Sequence, residues 1–173
     1  MVLYVVRHAD ALPVGGLVRR DADRPLSPRG EQDAALMGSV LARLDGEVEM
    51  ILASPLVRAV QTGEIFQKSM GGGIATRTSE HLAPGFRPKS LLEELKGMRN
   101  LPAVLAIGHQ PDLGNLIAFL ISGNIHAAIA MPACAIARIV FESEDLTGAA
   151  TLHWLLTPQA VRAALVPTGR TNP

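Results

Sequence analysis

The sequence has 173 residues and a single cysteine, Cys134. An intrachain disulfide and a paired-thiolate metal site are therefore excluded, and a reducing, cytoplasmic setting is expected. It also lacks net charge, because 16 Lys and Arg balance 16 Asp and Glu. A general nucleic-acid binder would normally be basic, so no nucleic-acid partner is expected. No signal-peptide pattern opens the chain: Arg7, His8 and Asp10 interrupt the apolar run from Met1 to Val6. Internal repeats, linkers and low-complexity blocks are missing too. Between Leu113 and Ala137 there is no Lys, Arg, Asp or Glu, which in principle is enough to cross a bilayer. Gly114, Asn115, Ser122, Gly123, Asn124, His126 and Pro132 interrupt that stretch. It reads as a buried helix, a turn and a buried strand, with no membrane partner.

What is present is a globular pattern. Apolar residues make up 48% of the chain, and a domain of this length buries about 70% of its unfolded surface. Residues 2–6 (VLYVV) read as a fully buried strand. Ser27-Pro28 is a helix start, a capping hydroxyl before Pro at the first helical position. Met37, Val40, Leu41 and Leu44 then form one apolar face. Residues 50–53 read as a second strand. Ser54-Pro55 repeats the helix start, before Leu56, Ala59, Val60, Gly63 and Phe66. A third strand is expected over 74–78, a loop over 79–88 and a short helix over 91–98. A strand over 103–107 ends at Gly108-His109, and Pro111 opens a helix with Leu113, Leu116, Ile117 and Leu120 on one face. Strands over 135–141 and 151–156, joined through 142–148, suggest a hairpin. The expected fold is a single-domain, three-layer α/β/α arrangement with a mostly parallel sheet. It spans residues 1–160, with a partly mobile tail over 161–173.

Ligands of such sheets sit beyond the carboxyl ends of the strands. Arg7-His8, Ser54 to Arg58 and Gly108-His109 each come directly after an expected strand, so all three should share one edge. Alone, each has an ordinary explanation. Arg7-His8 could be a strand-end salt bridge with a surface imidazole, His109 a loop histidine, and Arg58 a solvated helix charge. Together, two guanidiniums and two imidazoles make a cationic pocket with no obvious counter-carboxylate. Such a pocket needs an anion, and an arginine fork suits phosphate oxygens.

The motifs resemble a known family. VVRHAD near the N-terminus is similar to the R-H-G signature of the histidine phosphatase (phosphoglycerate-mutase-like) superfamily. SPLVRAVQT resembles its S-P-x-x-R-A-x-Q-T motif, and IGHQP its x-x-H-x-P motif. RPLSPRG (Arg24 to Gly30), AIARIVF and LHWLLTP resemble segments of the small SixA-type phosphohistidine phosphatases. The resemblance implies a phosphoglycerate-mutase-like fold and His8 as a transiently phosphorylated nucleophile. It also implies that Arg7, Arg58 and His109 hold the phosphoryl oxygens, with no metal and no cofactor. Fixed cations stabilise a transferring phosphoryl group without reorganising. His8 must be neutral to attack, and neighbouring guanidiniums should lower its pKa.

Two positions depart from the pattern. Ala9 replaces the signature glycine. The proton-donor glutamate of larger members has no clear counterpart, and Glu80 and His81, in EHLAP, are the local candidates. An imidazole leaves phosphorus more readily than an alkoxide, so a pocket without a carboxylic acid suits phosphohistidine better than a phosphate ester. The expected partner is a phosphohistidine-bearing signalling protein. A small phosphorylated substrate handled by a phosphomonoesterase is the enzymatic rival. A non-catalytic phosphoprotein-binding module is the rival of another class. Cys134 and Trp154 are expected to pack, and His126 and His153 to be structural. Asp10, Asp21, Asp23 and Arg24 are expected to be solvated loop charges, any of which could line the rim. Thr62, one turn beyond Arg58, could hydrogen-bond behind the site.

Overall fold

The structure, a computed structural model, describes residues 1–44, 47–143, 146 and 150–165. Its strands are β1 (Val2–Arg7), β2 (Val48–Ala53), β3 (Ala75–Thr78), β4 (Ala103–Gly108), β5 (Ile136–Val140) and β6 (Thr151–Leu156). Its helices are α1 (Pro28–Leu44), α2 (Val57–Ser69), α3 (Pro88–Lys96), α4 (Asp112–Ser122) and α5 (Pro158–Leu165). The six strands form one sheet in the order β3-β2-β4-β1-β5-β6. The first four are parallel, and β5 runs against both β1 and β6. The expected mostly parallel sheet is therefore observed, with an antiparallel pair at one side.

Helices cover both faces because strand side chains alternate between them. Leu3 and Val5 of β1 face the core built with Leu91, Leu95, Leu113 and Leu116 of α3 and α4. Tyr4 and Val6 face the opposite core, with Met37 and Leu41 of α1, Phe66 of α2 and Val161 of α5. The centres of β1 and β4 are buried on both faces, which explains their continuous apolar runs. Edge strand β3 is short and exposed throughout. Trp154 packs on Tyr4 with ring centroids 5.9 Å apart.

Register places the chemistry. Arg7 pairs with Gly108 across the β1–β4 ladder, and Ala53 pairs with Ile107 across β2–β4. Three parallel strands thus end level, and the residues after each emerge at one edge.

Several expectations need correction. Ser27 caps α1 as expected: its Oγ accepts the Gly30 N–H at 3.0 Å and donates to Asp10 Oδ2 at 2.6 Å. Ser54-Pro55 does not do the same, because α2 starts only at Val57 and its N-cap, Leu56, has no side-chain cap. The turn expected within 113–137 is a long irregular segment from Gly123 to Ala135. Sequence pattern assigns no element after Pro158, yet Pro158–Leu165 form α5. The overlooked signal is Thr157-Pro158: Thr157 Oγ1 accepts the Ala160 N–H at 3.1 Å, the same hydroxyl-then-proline start as in α1. The expected tail boundary at 160 falls inside this helix, which Arg162 ties to Asp33 of α1. Residues 166–173 of that tail, and most of the expected loop over 142–148, lie outside the described residues. No helix among the described residues is long and apolar enough to cross a membrane.

Gly30 lets α1 press against the chain just beyond β1. A Cβ there would lie 2.0 Å from the Asp10 carbonyl oxygen, an overlap with backbone that no side-chain rotation relieves. Gly30→Ala is expected to destabilise the fold by about 3 kcal/mol. Thermal melting should then fall by about 10 °C, and an unchanged melt would show that this contact is dispensable.

Candidate active site

His8 leaves β1 with its backbone held on two sides. Its N–H donates to the Gly108 carbonyl at 3.0 Å, and its carbonyl accepts the Cys134 N–H at 3.2 Å. Its ring Nδ1 stands 2.7 Å from the Ala9 carbonyl oxygen. A carbonyl only accepts, so Nδ1 carries the hydrogen and Nε2 presents a lone pair. That lone pair meets the Arg58 Nε–H at 3.2 Å. The Ala9 N–H donates to Thr62 Oγ1 at 3.1 Å, and Thr62 in turn donates to the Arg58 carbonyl at 2.7 Å. Thr62 therefore ties the segment after β1 to the first turns of α2, behind the site as expected.

The Arg58 guanidinium is almost fully buried. Its NH1 donates to the Asp21 carbonyl at 2.7 Å, and its NH2 to Asp21 Oδ2 at 3.0 Å. The expectation of a pocket without a counter-carboxylate is corrected here: Asp21, on a short 3-10 turn (Asp21–Asp23), supplies one. Arg24 holds that turn in place through Asp21 Oδ1 at 3.0 Å and the Leu12 and Ala11 carbonyls. Hydrogen bonds from Arg24, and then from Arg58, hold the Asp21 carboxyl below its ordinary value.

His109 comes directly after β4 and is buried, its ring centroid 4.9 Å from that of His8. Its Nε2 lies 2.8 Å from Ser54 Oγ, and its Nδ1 lies 3.5 Å from Arg58 NH2. Ser54, expected as a helix cap, is instead a partner of the site. Arg7 anchors NH1 on the Met131 carbonyl at 3.0 Å, in the irregular segment after α4. Its buried Nε has no hydrogen-bond partner among the described residues, and its charge lowers both rings.

Both imidazoles are held neutral. His8 is lowered to about 4, by burial first and then by Arg58, Arg7 and Arg24, against the opposing bond to Ala9. His109 is lowered to about 3, by burial, then by His8 and Arg58. The guanidiniums act as expected, but loss of water is the larger cause.

The other candidates are not drawn into this group. Glu80 and His81 lie on a 3-10 turn after β3 (Glu80–Leu82), with exposed side chains. Neither makes a side-chain hydrogen bond or ion pair with His8, Arg58 or His109. Asp10 accepts Ser27, Asp23 pairs with Arg20, and His153 meets Arg138. Cys134 is buried, and burial pushes its thiol well above the ordinary range. Among the described residues, no group of three His, Cys, Asp or Glu side chains could hold a metal ion.

Arginines and two imidazoles gathered at the carboxyl edge of a parallel sheet suit the binding of an oxyanion, and comparison with known proteins makes the class specific. Residues 3–83 match the histidine phosphatase superfamily (branch 1). Phosphohistidine phosphatase SixA of Escherichia coli K12 is 28% identical over 171 residues, 95% of this chain and 98% of that protein. Rv1276c of Mycobacterium tuberculosis is 31% identical over 154 residues, 86% of this chain and 89% of that one. A structure of SixA complexed with tungstate superposes with a TM-score of 0.83 at 28% identity, covering 93% of this chain and 99% of that one. The chain belongs to the histidine phosphatase superfamily and is a phosphatase.

The lowered imidazoles predict a pH dependence. The folded pKa values, about 4 and about 3, lie below the unfolded value of about 6.5. Below that value the unfolded chain binds more protons, so stability falls as pH drops from about 6.5 toward 4. NMR titration should show both rings neutral at pH 6, with apparent midpoints shared by the coupled pair. A midpoint near 6.5 for either ring would contradict the burial described.

Proposed function

We propose that this phosphatase removes the phosphoryl group from phosphohistidine in a protein, with His8 as the nucleophile. Nε2 of His8 attacks phosphorus as the bond to the substrate nitrogen breaks. Arg58, Arg7 and His109 carry the charge on the phosphoryl oxygens. A substrate imidazole protonated on its remote nitrogen departs as neutral imidazole and needs no acid from the enzyme. The phosphorylated His8 ring, still holding its hydrogen on Nδ1 toward Ala9, is an equally good leaving group. Water then attacks phosphorus, its protons stay with the phosphate and solvent, and His8 returns neutral.

One observation carries the choice of a P–N over a P–O bond: no competent carboxylic acid stands at the pocket among the described residues. Asp21, the carboxylate that reaches it, is held ionised by Arg24 and Arg58. Glu80 and His81 are exposed, and among the described residues neither side chain hydrogen-bonds or ion-pairs with the cluster. General-acid help is worth roughly 10²- to 10⁴-fold, which an alkoxide leaving group would forgo here. A protein substrate is also supported by the loop beside the site, which presents Leu12, Val14 and a fully exposed Leu17. The lone thiol fits a cytoplasmic setting.

The test is a substrate panel with rapid mixing. A phosphohistidine carrier protein should turn over at least 100-fold faster than glyceryl or sugar phosphates. It should pass through an acid-labile phosphoenzyme that disappears in His8→Ala. Arg58→Ala should lower kcat by about 10²- to 10³-fold. Faster turnover of esters would reassign the enzyme to small-molecule phosphomonoester chemistry.

A further inference from the structure

Among the described residues the Arg7 guanidinium makes one hydrogen bond, from NH1 to the Met131 carbonyl at 3.0 Å, and its buried Nε has no partner. The direction of that carbonyl therefore sets the direction of the guanidinium. Met131 lies in the irregular segment after α4, where no backbone–backbone hydrogen bond involves residues 127–131 among the described residues. Its side chain is buried in the core shared with α3 and α4. Burial of an apolar side chain is non-directional, so it holds Met131 in place without aiming its carbonyl.

Gln110, between His109 and α4, supplies a directional contact. Its Oε1 accepts the Gly114 N–H at 2.8 Å, and its Nε2 donates to the Ile129 carbonyl at 2.9 Å. A backbone N–H only donates and a carbonyl only accepts, so the amide has one orientation. The Gly114 N–H belongs to the first turn of α4, whose donors have no intrahelical acceptor. One side chain thus satisfies the helix start and straps the irregular segment to it. Gly114 makes room for the strap: a Cβ there would lie 2.5 Å from the Ile129 carbonyl oxygen. Peptide groups are planar, so with Ile129 fixed only the torsions of Ala130 and Met131 remain to redirect the Met131 carbonyl.

We infer that Gln110 is a positioning residue that straps Ile129 to α4, aims the Met131 carbonyl at Arg7 and so fixes the guanidinium at the site. The strap rests on geometry; only the use of Arg7 on a phosphoryl oxygen rests on the proposed function.

A double-mutant cycle checks this, with inorganic phosphate as the probe and nitrogen-15 NMR of the arginine side chains as the second readout. Gln110→Met keeps the side-chain length and removes both bonds. It should speed rotation of the Arg7 Nη groups and weaken phosphate binding by about tenfold, the loss expected for one oriented hydrogen bond to a charged group. In an Arg7→Ala background Gln110→Met should weaken phosphate binding no further, whereas damage spread over the whole site would still lower the affinity left to Arg58. Gly114→Ala keeps Gln110 and favours the helix, yet pushes the same Ile129 carbonyl away. It should reproduce both effects, and it decides the matter if Gln110→Met does not fold. The inference is overturned if the Arg7 Nη signals are unchanged in these variants, or if Gln110→Met weakens phosphate binding by the same factor without Arg7 as with it. If Arg7→Ala leaves phosphate affinity intact while the Nη signals still respond to Gln110→Met, the proposed role of Arg7 fails and the strap stands.

Discussion

A guanidinium packed among imidazoles and out of water is tolerable only when its N–H groups are engaged. Arg58 meets that condition with the lone pair of His8 beyond the first strand, the carbonyl and carboxylate of Asp21 on a loop turn, and Nδ1 of His109. The rest of the site is arranged around this group. Thr62 ties its helical turn to the segment that carries His8, and Arg24 holds the Asp21 turn against it. The His8 lone pair is therefore engaged by the Arg58 Nε–H. In the proposed reaction a phosphoryl group would exchange that contact for its own oxygens, freeing the nucleophile as the anion binds.

Keeping both imidazoles neutral solves the complementary problem. Two adjacent arginines and two protonated histidines would repel one another strongly in a partly desolvated pocket. Burial removes the histidine charges and leaves the cationic work to the guanidiniums, which stay charged at all relevant pH values. Each neutral ring then has one N–H and one lone pair, and the protein must choose their directions. For His8 a backbone carbonyl sets the direction, and the His109 ring lies between Ser54 Oγ and Arg58 NH2.

Likeness to SixA extends over nearly the whole chain, and the departure at the signature glycine is small in physical terms. Ala9, in place of the signature glycine, is buried and still donates its N–H to Thr62. The extra methyl is accommodated because the contact there is made by backbone. Gly30 cannot be exchanged in the same way, because its missing Cβ is where the Asp10 carbonyl sits.

The amino-acid order alone determined the layered fold and the shared edge of Arg7, His8, Arg58 and His109. Continuous apolar runs specify strands buried on both faces, and parallel strands that end level deliver their succeeding residues to one side. Capping chemistry was legible at Ser27 and misleading at Ser54, since a serine before proline looks the same whether its hydroxyl meets a helix N–H or a distant imidazole. Thr157-Pro158 carried the same signal for a helix too short for its periodicity to show. Only the tertiary structure decided that Asp21, among several loop aspartates, neutralises Arg58, and that Ser54 faces His109. Those contacts join residues 37 and 55 positions apart. They depend on loop paths and side-chain directions that local spacing does not encode.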